Sequence, residues 1–554
     1  MYILLALCPV AAVAVLLVLL RWPAKRAMPV AYALTVTVAL FAWKLSPTRI
    51  AASTIEGFII AASVLYIVFG AVLLLNTLQA SGAVSTIRRG FIALSPDRRV
   101  QTLIVAWLFG SFVEGASGFG TPAAVAAPLL LALGFPALAT VLATLIIQST
   151  PVSFGAVGTP ILIGVDRGLS GSPIVAQHLA ELGITQSEYL LRVGAHVAVL
   201  HGLIGTFLPI ILICVMTRFF GRARSWREGL GIWKFAMFSG FAFTVPYTLT
   251  AVFLGPEFPS LLGGLCGLAI VITAARKGFL VPKEVWDFPP RAEWPAAWLG
   301  TLPPVEPQHE HAPGLVRAWL PYVLVGCFLV LTRLPMLPIK AWLLSVKIGW
   351  TDILGTGVNA NVEPLYLPGT VFILVVMMTW GLHRMTRSAR LQAIRVSAGT
   401  LVSTSVALCF AIPLARIFIN SGVNAANLPS MPLLLAENAA QVAGPLWPLV
   451  APWVGAFGAF IAGSNTVSNM MFCLFQFGVA EQIGASTLWI VALQAVGGAA
   501  GNMICIHNVV AASATVGLAG REGTLIRDVL VPFFYYVITA GVLGLVFVRF
   551  FATG

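Results

Sequence analysis

Apolar runs of roughly twenty residues, each closed by a short polar or basic stretch, recur along the whole chain. That is about the length an α-helix needs to cross ~30 Å of hydrocarbon. The runs predict about twelve crossings, at 3–20, 28–45, 53–79, 137–165, 189–217, 235–254, 259–275, 316–334, 366–382, 393–420, 486–519 and 528–550. Two further segments behave differently. Segment 100–134 starts as VQTLIVAWLFGSFV, breaks at Glu114–Gly120 and resumes as TPAAVAAPLLLALG. Each arm, at about 13 residues, covers only ~20 Å, so both arms read as one re-entrant hairpin. Segment 446–480 is interrupted in the same way at Gly463–Asn469. Two crossings also carry internal breaks, 137–165 at Pro151–Gly155 and 486–519 at Gly497–Asn502.

Composition fixes the solvent of this pattern. Hydrophobic residues make up 59% of the 554 and charged residues 9%, with a mean hydropathy of +0.95. Soluble domains carry about 25% charged residues, so most of this surface faces lipid. The net charge of +13 could suggest nucleic acid, but no basic domain stands apart. Lys and Arg instead gather between apolar runs, as in Arg88/Arg89/Arg98/Arg99, Arg218/Arg222/Arg224/Arg227 and Arg384/Arg387/Arg390/Arg395. Such clusters mark cytoplasmic loops. They put both termini outside a prokaryotic plasma membrane. The first run has no basic stretch ahead of it, so it reads as a retained helix rather than a cleaved signal. The seven cysteines sit singly in apolar segments, without metal spacing.

The breaks repeat. FGSFVEGAS (Phe109–Ser117) aligns with FGAFIAGSN (Phe457–Asn465), and QSTPVSFG (Gln148–Gly155) with QAVGGAAG (Gln494–Gly501). Ser81-Gly82 has a counterpart in Ser421-Gly422. Hairpins entering from opposite faces make this an inverted-topology repeat, a signature of secondary transporters with a midplane site. The expected class is therefore an all-α polytopic membrane protein. Residues 1–52 are N-terminal helices outside the repeat, and 53–217 form the first repeat, with hairpin 100–134 and broken helix 137–165. Connecting helices fill 218–392, with a cytoplasmic loop at 276–314 and an outer loop at 335–365. The second repeat is 393–554, with hairpin 446–480 and broken helix 486–519.

Non-helical backbone at membrane depth survives only when buried in protein or lining a wet cavity, so the four breaks should converge. Fresh helix N-termini at the tips favour an anion. Thr121-Pro122 and Thr159-Pro160 have the N-cap and N1 residues such a start prefers. Candidate substrate contacts are Ser117, Gly118, Thr121, Gln148, Ser153 and Gly155 from the first half. From the second come Ser464, Asn465, Thr466, Asn469, Gln494, Asn502, His507 and Arg416. Any of the Ser, Thr and Asn side chains could instead cap a turn. Charges at this depth are functional candidates. A carboxyl at Glu114 that can be neutral or charged suits proton coupling, or it could partner N–H groups of the tip. His201, five residues after His196, is either a proton relay or a satisfied core histidine. Arg416 could grip a carboxylate or snorkel to the outer interface. Glu56 and Arg192 read as interfacial.

FGSFVEGASGFGTPAA, PVSFGAVGTPI and AGSNTVSN followed by a Gly-rich break resemble the lactate permease family over nearly the whole chain. The resemblance implies uptake of L-lactate, and often D-lactate or glycolate, driven by the proton gradient, with no cofactor. It is also similar to the larger ion-transporter superfamily, in which tips like Ser464-Asn465-Thr466 bind carboxylates. The family pattern often has an Asp at the position of Asn465 and a Lys at that of Asn502. Both are neutral amides here, which puts substrate identity and coupling in question and suggests that the two positions face each other. A sodium-coupled carrier of another organic anion is the alternative, with tip carbonyls holding the ion. An intramembrane enzyme is disfavoured, because there is no HExxH, no GxSxG with a base and no paired carboxylate at the breaks. A channel would need a continuous polar pore.

Overall fold

The computed structural model describes residues 2–16, 20, 22, 24–92, 95–118, 121–300, 313–333, 337–518 and 522–550. Helices α1 (Tyr2–Ala14), α2 (Ala24–Phe41), α3 (Pro47–Ala80) and α4 (Ala83–Ile92) lead into α5 (Arg98–Ser117) and α6 (Thr121–Ala132). Next come α7 (Ala137–Ile146), α8 (Pro173–Leu182), α9 (Gln186–Gly205), α10 (Leu208–Phe220), α11 (Trp233–Phe253) and α12 (Pro259–Arg276). The remainder comprises α13 (Leu315–Arg333), α14 (Pro368–Leu382), α15 (Arg387–Ile419), α16 (Met431–Ala443), α17 (Trp447–Ala462), α18 (Asn465–Ile483), α19 (Thr487–Gly501), α20 (Ile506–Thr515) and α21 (Glu522–Phe550). Among the described residues, seven helices are long and apolar enough to cross a membrane, or eight spans if α9 and α10, bent by 41°, count as one. The protein is an all-helical integral membrane protein.

The frame is set by α3 and α15, which run alongside each other. Ser46 caps α3 by accepting the N–H of Arg49, with Pro47 at the first helical position, and Thr386 caps α15 through the N–H of Ala389. They approach so closely at Gly57 that a Cβ there would strike the backbone of Pro413. The foot of α5 is anchored by Asp97, which accepts the N–H of Arg99 and pairs with its guanidinium at 2.7 Å. Arg99 also donates to the carbonyls of Glu228 and Glu284, which fastens part of loop 276–300 to that foot.

Several sequence expectations change. The first arm of hairpin 100–134 is not about 13 residues long: α5 runs continuously for 20 residues, through a π-type turn at Leu103–Phe109. The Arg98–Thr102 foot is helical because its charges are paired, and at the other end the helix runs past Glu114 to stop only at Gly118. All of the apolar window of α5 is buried in protein, so its length does not require it to face lipid. The second interruption narrows to Gly463-Ser464, with Asn465–Asn469 already helical. The break in 486–519 comes later than expected, at 502–505. Gly497 and Gly501 stay helical and serve close packing instead, since a Cβ on either would strike the carbonyl of Pro452 or Ala456 in α17. Helix α16 was not expected; its Glu437, Asn438 and Gln441 interrupt the apolar pattern. Loop 335–365 contains an antiparallel ribbon, β1 (Ile348–Trp350) with β2 (Ala360–Val362), pairing Gly349 with Asn361. Part of loop 276–314 lies outside the described residues.

Candidate functional site

Four chain interruptions meet at one small cavity. The first is the end of α5. Glu114 lies one turn before it, buried, with Oε1 against Gly155, where a Cβ would come within 2.7 Å of it. Glu114 Oε2 has no hydrogen-bond partner. Gly118 then adopts φ +63°, ψ −161°, a conformation open essentially to glycine alone. A side chain there would also collide with Ala156.

The second interruption follows α7. After Pro151 a tight turn, Val152–Phe154, leads into three consecutive left-handed residues, Ala156, Val157 and Gly158, with φ of 42°, 58° and 76°. For the β-branched Val157 this is costly, on the order of 1–3 kcal/mol. The run is held by its surroundings: the Thr159 hydroxyl donates to the Ala156 carbonyl at 2.6 Å, and Gly158 packs on the Pro256 carbonyl. Thr159 is therefore spent inside the turn and does not cap the helical turn that follows it, contrary to the sequence reading.

At the third, Gly463 closes α17 at φ +74° and Ser464 stands in extended conformation ahead of α18. The Ser464 hydroxyl makes no capping bond, and Ser464, Asn465 and Thr466 at the head of this 19-residue helix line the cavity. The positive end of the helix dipole lies there. At the fourth, between α19 and α20, Asn502 meets Asn508, whose Nδ2 lies 3.3 Å from the Asn502 carbonyl oxygen, 3.3 Å from Asn502 Oδ1 and 2.8 Å from Gln148 Oε1.

The cavity measures about 30 Å3, room on the order of one water. Of the expected site residues, Glu114, Gly118, Gln148, Gly155, Ser464, Asn465, Thr466 and Asn502 line it. Asn465 and Asn502, expected to face each other, share its wall. Glu114 is the one ionisable side chain among the described lining residues. Behind the wall, Asn465 Nδ2 donates to the Ala495 carbonyl at 3.2 Å and to Ser153 Oγ at 3.4 Å. Ser153 in turn lies 2.8 Å from His201 Nε2, and His201 Nδ1 lies 2.5 Å from the Tyr536 hydroxyl. Ser153 also donates to the Ala495 carbonyl at 3.2 Å, and the Tyr536 hydroxyl lies 3.1 Å from Thr150 Oγ1. His201 is thus a fully bonded buried histidine, one hydroxyl removed from a residue of the wall.

Other expected residues fall outside the wall. Asn469 donates to the Pro160 carbonyl at 3.0 Å, and Gln494 is held by Gln476 and Ser468 inside the second half. Ser117 is buried without lining the cavity. The side chains of Thr121 and His507 lie outside the described residues. Arg416 neither lines the cavity nor snorkels: it is buried and paired with Glu56 at 2.7 Å. Glu56 is accordingly not interfacial, because a buried guanidinium needs a counter-charge and α3 brings this carboxylate to it. Asn508 was missed. Its only sequence signal is an amide in an apolar run just past a break.

Interrupted segments of a membrane-embedded helical protein thus line a polar cavity, and its family match makes the protein a transporter, not an enzyme. The chain belongs to the L-lactate permease family, whose model matches residues 2–551. It is 30% identical over 550 residues to a putative L-lactate permease of Haemophilus influenzae, covering 96% of this chain and 95% of that protein. It is 28% identical over 521 residues to the L-lactate permease of Escherichia coli, covering 89% and 86%. Its identity to the glycolate permease GlcA of Escherichia coli is 28% over 573 residues, covering 98% and 94%.

Proposed function

We propose that the protein imports L-lactate, or a related short 2-hydroxymonocarboxylate such as D-lactate or glycolate, by proton symport across a bacterial plasma membrane. The observation that carries this is Glu114, the one ionisable side chain among the described residues lining a small polar cavity at the head of α18. An ionised Glu114 and a substrate carboxylate repel each other in so confined a space. A protonated Glu114 offers an O–H donor instead. Substrate and proton therefore enter together, and neither is released inward without the other. The relatives named for L-lactate and for glycolate support the choice of substrate.

In this reading about twelve crossings and two re-entrant hairpins form an inverted repeat with both termini outside. Opposed hairpins suit alternating access, and the cavity of about 30 Å3 must widen to take a three-carbon acid. Purified protein in liposomes tests the function. Labelled lactate, glycolate and a dicarboxylate are offered under a proton or a sodium gradient imposed separately. Lactate or glycolate should accumulate with the proton gradient alone. Uptake that follows sodium and ignores pH overturns the proposal in favour of a sodium-coupled carrier.

A further inference from the structure

We propose that Asn508 is a positioning residue that sets the polarity of Gln148, so that the Gln148 amide nitrogen faces the cavity and binds the substrate carboxylate. This rests on the reading above that the cavity receives a small carboxylate. The chain of orientation starts at a main-chain atom. The carbonyl oxygen of Asn502 can only accept, so the side-chain atom of Asn508 that lies 3.3 Å from it must be nitrogen. That same nitrogen lies 2.8 Å from the Gln148 side chain, so Gln148 must turn its oxygen towards it. The Gln148 nitrogen is left over. It is buried without any hydrogen-bond partner, in a residue 1% exposed that lines the cavity.

Leaving a donor buried and unsatisfied costs about 1–3 kcal/mol, and a group of this kind in a cavity marks where a ligand atom belongs. An acceptor with negative charge fits best, since charge-assisted bonds are the stronger ones. With Glu114 protonated, the substrate carboxylate meets donors from Gln148 and Glu114 and the first N–H groups of α18. Were Gln148 reversed, its oxygen would face the carboxylate, and the same cavity would disfavour an anion. Asn508 also joins the two halves of the molecule, because Gln148 stands just before the second break and Asn502 opens the fourth.

The test compares displacement of labelled lactate by unlabelled lactate and by lactamide, its uncharged amide analogue, in wild type, N508L, Q148L and the double variant. Wild type should favour lactate over lactamide by about tenfold or more, the size of one well-placed donor. N508L is neutral and leaves Gln148 free to turn, so this preference should fall several-fold through a rise in KM with little change in maximal rate. Q148L should lose the preference to a similar extent, and adding N508L to it should change nothing further. If N508L does not fold, N508A carries the same comparison. A preference that N508L or N508A leaves intact, or that falls equally in the Q148L background, overturns the role of Asn508. A wild type that binds lactate but does not prefer it to lactamide overturns the donor assignment. Failure of wild type to bind any of the carboxylates instead overturns the function proposed above.

Discussion

Glu56 and Arg416 form a buried ion pair, 2.7 Å long, between the two longest helices of the protein. Asn420 donates to the second carboxylate oxygen of Glu56 at 2.9 Å. Arg416 also donates to the carbonyls of Arg167 and Ser170, just beyond the strained turn that borders the cavity. The pair therefore ties the frame of α3 and α15 to the segment that shapes the site. Removing one partner leaves a charge in low dielectric, at a cost of about 3–5 kcal/mol. E56Q and R416M should each lower the thermal midpoint in detergent markedly, and E56Q/R416M should recover much of the loss. Additive losses would contradict coupling between the two side chains.

Glu114 is expected to carry the coupled proton. E114Q keeps the shape and a donor but cannot be charged. It should abolish accumulation driven by a pH gradient while sparing exchange of labelled for unlabelled lactate. Loss of exchange together with accumulation would make Glu114 a substrate or structural residue.

Asn465 and Asn502 share the cavity wall as neutral amides. N465D alone brings a second carboxylate into a space that already holds Glu114, and N502K alone brings an unbalanced cation. Each should depress lactate uptake by roughly tenfold or more, while N465D/N502K should retain more activity than the product of the single effects predicts. A double-mutant cycle on uptake rates measures this, and strict additivity would separate the two positions.

The left-handed run at Ala156–Gly158 places Gly158 against the Pro256 carbonyl. G158A adds both a left-handed alanine and a clash, together costing on the order of 2–4 kcal/mol. Its expected outcome is a lowered thermal midpoint with transport reduced in proportion to the folded fraction. V157G removes a β-branched residue from the same turn and should be tolerated far better. A G158A protein as stable as wild type would mean that the turn relaxes in solution.

The parts of this fold that lipid dictates could be read from the chain. Long apolar runs announced an all-helical membrane protein, and two of the expected interruptions contain the helix ends at Gly118 and Gly463, because a bilayer leaves few alternatives. What tertiary contact decides could not. The Arg98–Thr102 foot looks polar until Asp97 and the carbonyls of loop 276–300 satisfy it, so the first arm was taken as too short. Gly497 and Gly501 looked like a break but serve close packing. Eight of the proposed site residues line the cavity, since polar residues at a break have few other uses at that depth. Arg416 was misread because Glu56 lies 360 positions away along the chain. Asn508 was overlooked because the direction of an amide is settled only by what surrounds it.

The orientation chain that begins at the Asn502 carbonyl has a consequence for how this site can drift. Its reference point belongs to the main chain and is therefore the same whichever amino acid occupies position 502. Side chains around the cavity can trade charge for neutrality, as the two amides here suggest, while the template against which they align stays constant. Preference for an anion is then inherited from the path of the backbone, and substitutions adjust how strongly it is expressed.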